Sequence, residues 1–264
     1  MELRTFAQSI LDAPDLAGKC APPPQGLASL TDEAPGLPQP WTNPARSPAL
    51  SIAPKRARKG MPHPQALHDP AMRARCLHLF ANHELMAVEL MAWGLLAYPE
   101  APKAFRRGLA WLIEEEQRHV MLYVDRLQEL GVRFGDLPLN DHFWRVAPSL
   151  TTPLEWVCAM NLTFEQANLD HAPLFEGYFR AAGDERSAEL MAQIQRDEVA
   201  HVAFGARWLK RFAPDEDTWA TFTSHLTGHN APDRARAKHT FNHQARRAAG
   251  LDETFIQKME QVGS

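Results

Sequence analysis

Two short phrases in this chain carry the same chemistry. Residues 115–120 read Glu-Glu-Gln-Arg-His-Val, and residues 197–202 read Asp-Glu-Val-Ala-His-Val. Each is an acid followed by Glu-x-x-His. A further glutamate precedes each phrase at nearly the same distance: Glu84 stands 32 residues before Glu116, and Glu165 stands 33 before Glu198. One glutamate from a first helix and a Glu-x-x-His from the next, repeated twice, is the ligand pattern of a dinuclear metal centre inside a four-helix bundle. The predicted ligands are Glu84, Glu116, His119, Glu165, Glu198 and His201. A centre of this kind does redox chemistry or moves iron.

The surroundings of these six residues agree with that chemistry. Helical positions three and four apart share a face. Glu84 falls in a stripe with Phe80, Ala87 and Met91, while Glu116 and His119 fall among Leu109, Leu112, Ile113 and Val120. Glu165 sits between Leu162 and Leu169, and Glu198 and His201 sit among Leu190, Met191, Ile194 and Val202. All six are therefore expected to point into an apolar core. An ionised carboxylate there costs several kcal/mol even after relaxation; two divalent cations would balance four of them. Carboxylate and imidazole together suit iron or manganese, whereas structural zinc usually recruits cysteine. The expected cofactor is two iron ions, with manganese or a mixed pair as the alternative. Glu89 competes with Glu84 as the first-helix ligand. It lies five residues on, as Asp170 does from Glu165, and five residues turn a helix by about 140°, off the ligand face. His83 is read as a group flanking Glu84.

Other residues repeat or nearly repeat. Metal-bound histidines usually donate their second N–H to a carboxylate, so Asp197 could orient His119 and Glu115 could orient His201. Ordinary surface charge is the competing reading of both acids. Tyr123 follows His119 by one turn, where it could donate an electron or a hydrogen bond to the metal pair, or simply pack; it is the one candidate catalytic side chain. The other half has Gly205 at that place, which would open space for substrate or oxygen. The basic run Lys55-Arg56-Ala57-Arg58-Lys59 could touch RNA or phosphate, or be solvated charge. His239 and His243 have chelating spacing but no acidic partners to match.

The elements that must position these groups are all helical. Asp69-Pro70 reads as an N-cap followed by proline at the first helical position, and Tyr98-Pro99 ends that helix. A second helix runs from about Pro102 to Leu130, closed by Gly131. A long connection follows, residues 131–152, with a short helix near 141–145. Thr152-Pro153 starts a third helix that meets Pro173, where it should kink or end. Gly183-Asp184 leads to a fourth, running to about Phe212. Short, long, short connections match a bundle with one long crossover. The chain thus divides into a Pro-rich N-terminal arm (1–65), a four-helix bundle (66–212) and C-terminal accessory helices (213–264). Within the arm, residues 1–19 could form one short amphipathic helix, and residues 20–65 are expected to lie on the bundle as an extended strap, docked through Trp41 and Leu50.

Composition removes several function classes. The net charge of −4 over 264 residues gives no global attraction to nucleic acid or anionic membranes. No stretch approaches the ~20 apolar residues of a membrane span. Three scattered cysteines, Cys20, Cys76 and Cys158, and the lack of a signal peptide suit a reduced, cytoplasmic protein.

Phe80-Ala-Asn-His-Glu-Leu, Glu-Glu-Gln-Arg-His, Val132-Arg-Phe-Gly-Asp-Leu-Pro, Asn161-Leu-Thr-Phe-Glu-Gln-Ala-Asn-Leu-Asp and Arg196-Asp-Glu-Val-Ala-His-Val together resemble the ferritin-like superfamily of dinuclear iron proteins. The closer resemblance is to the domain of unknown function 455 family, and it covers most of the chain. It implies an all-α, ferritin-like bundle with a dinuclear metal site, in a family described by fold and not by reaction. Activities across the superfamily include oxygen-dependent hydroxylation and desaturation, radical generation, peroxide reduction and ferrous iron oxidation; one relative hydroxylates a modified base in tRNA. The expectation is an oxidoreductase using dioxygen or peroxide on a small molecule or a modified nucleoside. An iron-handling ferroxidase or store, and a metal-binding module without catalysis, are the alternatives.

Overall fold

The computed structural model describes residues 1–228 and 230–262. His229, Gly263 and Ser264, which belong to the C-terminal stretch 213–264, lie outside them. Among the described residues there are ten α-helices and no named strand, only two isolated bridges, Glu2 to Thr31 and Ile52 to Leu139. No helix among them is long and apolar enough to cross a membrane. The chain forms two compact units, Met1–Ala147 and Pro148–Ser264.

The first unit is built on α3 (Pro70–Ala97) and α4 (Lys103–Glu129). They pack side by side, antiparallel, because only residues 98–102 join them. Asp69 caps α3, its carboxylate accepting from the Ala71 N–H, with Pro70 where its missing donor is harmless. Gly131 ends α4 in the left-handed region (φ 75°), letting Val132 N–H reach back to Leu127 O. Helix α1 (Leu3–Asp12) lays Leu3, Phe6 and Ile10 against α3; α2 (Leu16–Lys19) is one turn, capped by Asp15.

From there the arm runs extended between short 3₁₀ turns. Trp41 packs edge-on against Trp93 (ring centroids 5.4 Å) and tilted against Trp144 (5.9 Å), Gln39 N–H donates to Leu96 O, and Leu50 is buried. Three buried cations tie arm to helices. Lys19 Nζ lies 2.9 Å from Glu89 Oε1, Arg46 grips the same carboxylate through Nε and Nη2, and Arg106 grips Asp32.

The second unit opens on a capping box, Thr152 with Glu155, ahead of α5 (Pro153–Ala159). With no residue between them outside a helix, the chain passes into a π-helical turn, Met160–Glu165, and then α6 (Gln166–Ala181). Pro173 lies inside α6, so of the two expected effects, a kink or an end, the end does not occur. A proline cannot donate to the carbonyl four residues back, here Leu169. Asn242 Nδ2 donates to Leu169 O instead (3.3 Å), so the exposed acceptor is filled from a distant segment. Gly183 (φ 75°) and the Asp184 cap turn the chain into α7 (Glu185–Phe212), which packs along α6. Helices α8 (Thr218–Ser224) and α10 (Glu253–Gln261) meet through Trp219, Phe222 and Phe255. Helix α9 (His243–Ala248) is anchored by Arg246, which forks onto Asp170 of α6 at 2.7 and 2.8 Å.

Candidate metal centre

In the first unit, α3 presents Glu84 and α4 presents Glu116 and His119. Glu116 and His119 have no solvent exposure and Glu84 has 4 %. One ligand atom from each of the three lies within 4.8 Å of the other two. In the second unit the last residue of the π-helical turn, Glu165, joins Glu198 and His201 of α7 in a triad of the same composition. These three are equally buried, and their ligand atoms also lie within 4.8 Å of one another.

The two Glu-x-x-His pairs share one geometry. His119 Nδ1 stands 3.6 Å from Glu116 Oε2, and His201 Nδ1 stands 3.3 Å from Glu198 Oε2. A charge-assisted N–H to carboxylate bond would be about 2.7–2.9 Å. Two donors each about 2.1 Å from one ion, at about 90–110°, lie about 3.0–3.4 Å apart. Both separations exceed the hydrogen-bonded distance and approach that of two ligands on a shared ion. The donor set therefore fits a metal. Burial pushes all three cysteine thiols up, Cys20 to about 12. None of them joins these groups among the described residues.

Two asparagines complete the second triad's surroundings. Asn168 Nδ2 donates to Glu198 Oε1 (3.1 Å), leaving Oε2 on the His201 side. Asn161, fully buried in the π-helical turn, donates to His201 O (3.1 Å), tying α7 to that turn. Sequence reasoning missed both; their one signal was position, one turn from Glu165 on either side. The π-helical turn itself was also missed. Such turns recur at functional sites, and here Thr163 Oγ1 donates to Cys158 O, five residues back in α5.

Gly205 does not open space. A Cβ placed there would come 2.5 Å from Asn161 Cβ and 3.1 Å from Leu162 Cδ2. The glycine lets α7 approach the π-helical turn closely. Tyr123 is buried and stacks on Phe80 (centroids 5.8 Å), one turn before Glu84 on α3. Glu115 is half-buried and pairs with Arg118 at 2.6 Å; Asp197 is also half-buried.

Glu89 and Asp170 are fully or almost fully buried as well, yet each is held by its own cations: Glu89 by Lys19 and Arg46, Asp170 by Arg246. Burial lowers the Lys19 pKa, and the Glu89 carboxylate opposes that shift. Asp170 also accepts from the backbone of Ala237 and Asn242. Their work is structural. His243 pairs with Glu260.

The family model described as "Protein of unknown function (DUF455)" matches residues 13–257. The chain belongs to this family. Both triads of this DUF455 chain lie inside the matched span, as do the arm from α2 onward and α8 through α9. No curated protein and no solved structure matches the chain.

Proposed function

We propose that the two triads together hold two metal ions within a ferritin-like four-helix bundle, and that this DUF455 protein is a non-haem dinuclear iron oxidoreductase. The observation that carries the reading is the equivalence of the two Glu-x-x-His pairs, buried, at co-ligand separation, each joined by one further glutamate. Four carboxylates at apolar positions call for compensating positive charge, and two divalent ions supply it. When bound, such a pair supplies one-electron steps to dioxygen or peroxide.

The chain's own residues do the rest. Glu84, Glu116, His119, Glu165, Glu198 and His201 bind; Asn168 orients Glu198; Asn161 holds α7 against the π-helical turn. Glu115 and Asp197 are proposed to accept from the histidine rings, and Tyr123 to tune the first triad from one turn away. The substrate is a small organic molecule, in the class that includes modified nucleosides.

The test is reconstitution with ferrous iron followed by elemental analysis, expecting two ions per chain; one or fewer rejects the reading. Oxygen is then added while the optical spectrum and the iron count are followed. Oxidation of two irons that can be re-reduced and cycled supports an oxidoreductase. Continued uptake of many irons per chain replaces it with iron storage.

A further inference from the structure

A cavity of about 380 Å³ in the first unit adjoins α3 at Leu79 and His83, the residue before Glu84. Arg58 and Lys59, from the end of the basic run in the arm, line it together with Arg145 and Asn140. Its volume falls in the range of small-ligand pockets, about 300–1,000 Å³. The wall is preorganised. His83 stacks on Phe143 (centroids 4.9 Å), and Asn140 is pinned, its side chain accepting from His142 N–H and its carbonyl from buried Asn82.

The charge around the cavity does not cancel. Arg58 and Arg145 share one carboxylate, Asp141, with Arg58 Nη1 at 2.5 Å and Arg145 Nη2 at 2.7 Å. Lys59 is exposed and adds a third positive charge. Three cations against one anion leave +2. Each guanidinium has five N–H donors. The bond to Ala53 O and those to Asp141 engage three of them on Arg58, and Asp141 engages two on Arg145. Both forks therefore keep N–H groups for a ligand.

We propose that this cavity binds the phosphate of a phosphorylated small molecule. A phosphate monoester carries about −1.5 to −2 charge and three acceptor oxygens, which matches the +2 rim and the remaining donors better than a monoanionic carboxylate does. On the dinuclear reading, which this inference rests on, the phosphate anchors the substrate beside His83 while the remainder extends toward Glu84. The basic run in the arm then has a purpose, since it delivers Arg58 and Lys59 to the cavity rim.

The experiment titrates phenyl phosphate and, separately, benzoate into the full-length protein as purified, by calorimetry at constant ionic strength. Iron per chain is measured in every preparation. Phenyl phosphate is expected to saturate one site per chain, and benzoate to bind at least about tenfold more weakly. Lys59→Ala combined with Arg145→Ala, both exposed and so tolerated by the fold, should weaken phenyl phosphate at least about tenfold with iron content unchanged. Lys103→Ala, whose partner is Glu33, should change nothing. No saturable phenyl phosphate binding, equal benzoate binding, or binding unaltered in the double variant overturns the proposal. Phosphate binding that meets all these terms in a chain that takes up no metal upholds the cavity and rejects the dinuclear reading instead.

Discussion

Glu116 and Glu89 are both fully buried acids on the paired helices α4 and α3, and exchanging each for glutamine should give opposite signatures. Glu89 is the carboxylate shared by Lys19 and Arg46, whose side chains are 0 % and 5 % exposed. Glu89→Gln strands these cations, which costs about 3–5 kcal/mol, somewhat less when Lys19 sheds its proton. At about 2–4 °C per kcal/mol for a chain of this size, the midpoint falls by about 6–20 °C whether or not metal is present. Glu116→Gln removes a carboxylate proposed to face metal, so the metal-free protein should lose little or gain. The loss should fall on the response to metal. With free metal at a hundred times its dissociation constant, the folded state gains about 2.7 kcal/mol, or about 5–11 °C. Thermal unfolding of wild type should show this rise on adding ferrous or manganous ion. Glu89→Gln should keep the rise on a lower baseline, and Glu116→Gln should lose most of it. Equal metal-induced shifts in wild type and Glu116→Gln would refute the ligand role. A metal shift abolished by Glu89→Gln alone would show the ligand assignment on α3 to be wrong.

Asn168→Ala removes the donor to Glu198 Oε1 and should weaken metal binding about 10–100-fold with helix content unchanged, measured by chelator competition. Gly205→Ala gains up to about 1 kcal/mol of helix propensity. It also forces Cβ to 2.5 Å from Asn161 Cβ, an overpacking cost of about 1–3 kcal/mol; the expected net is a midpoint lower by a few degrees, and a rise would show that the π-helical turn yields freely. His78 Nε2 accepts from Gly135 N–H, and burial lowers its pKa to about 4, against a smaller opposing pull from Asp136. The unfolded chain therefore binds more protons between pH 4 and 6.5. Stability contributed there is present above pH 6.5 and is lost as pH falls toward 4, by about 3 kcal/mol in all. Urea titrations across this window should show a flatter slope in His78→Gln, and an unchanged slope would reject the assignment.

How much of this was legible beforehand follows from the range of the forces involved. Apolar spacing, the caps at Asp69 and Thr152, and the stop at Gly131 act within a few residues, so α3, α4 and α7 were readable with their ends, and α5 with its start. The burial of all six acid and histidine positions was readable for the same reason: a polar residue inside a helical apolar stripe must go where the stripe goes. What depended on chain path was not. Glu89 and Asp170 were recognised as leaving the ligand face. That each is buried against its own cations rests on partners such as Arg46, 43 residues away, and Arg246, 76 residues away. Pro173 signals a kink or an end by local rules; α6 continues through it, and Asn242 Nδ2, from a distant segment, donates to the carbonyl the proline leaves open. Gly205 gave the right position and the wrong reason, since a missing side chain signals either open space or close approach, and only the packing of α7 on the π-helical turn decides which. The arm's prolines excluded regular helix but said nothing of where Arg58 and Lys59 would stand; Asp141, brought close by the tertiary fold, settles that. Local chemistry determined which residues are candidates for a metal site, and long-range pairing determined what surrounds them.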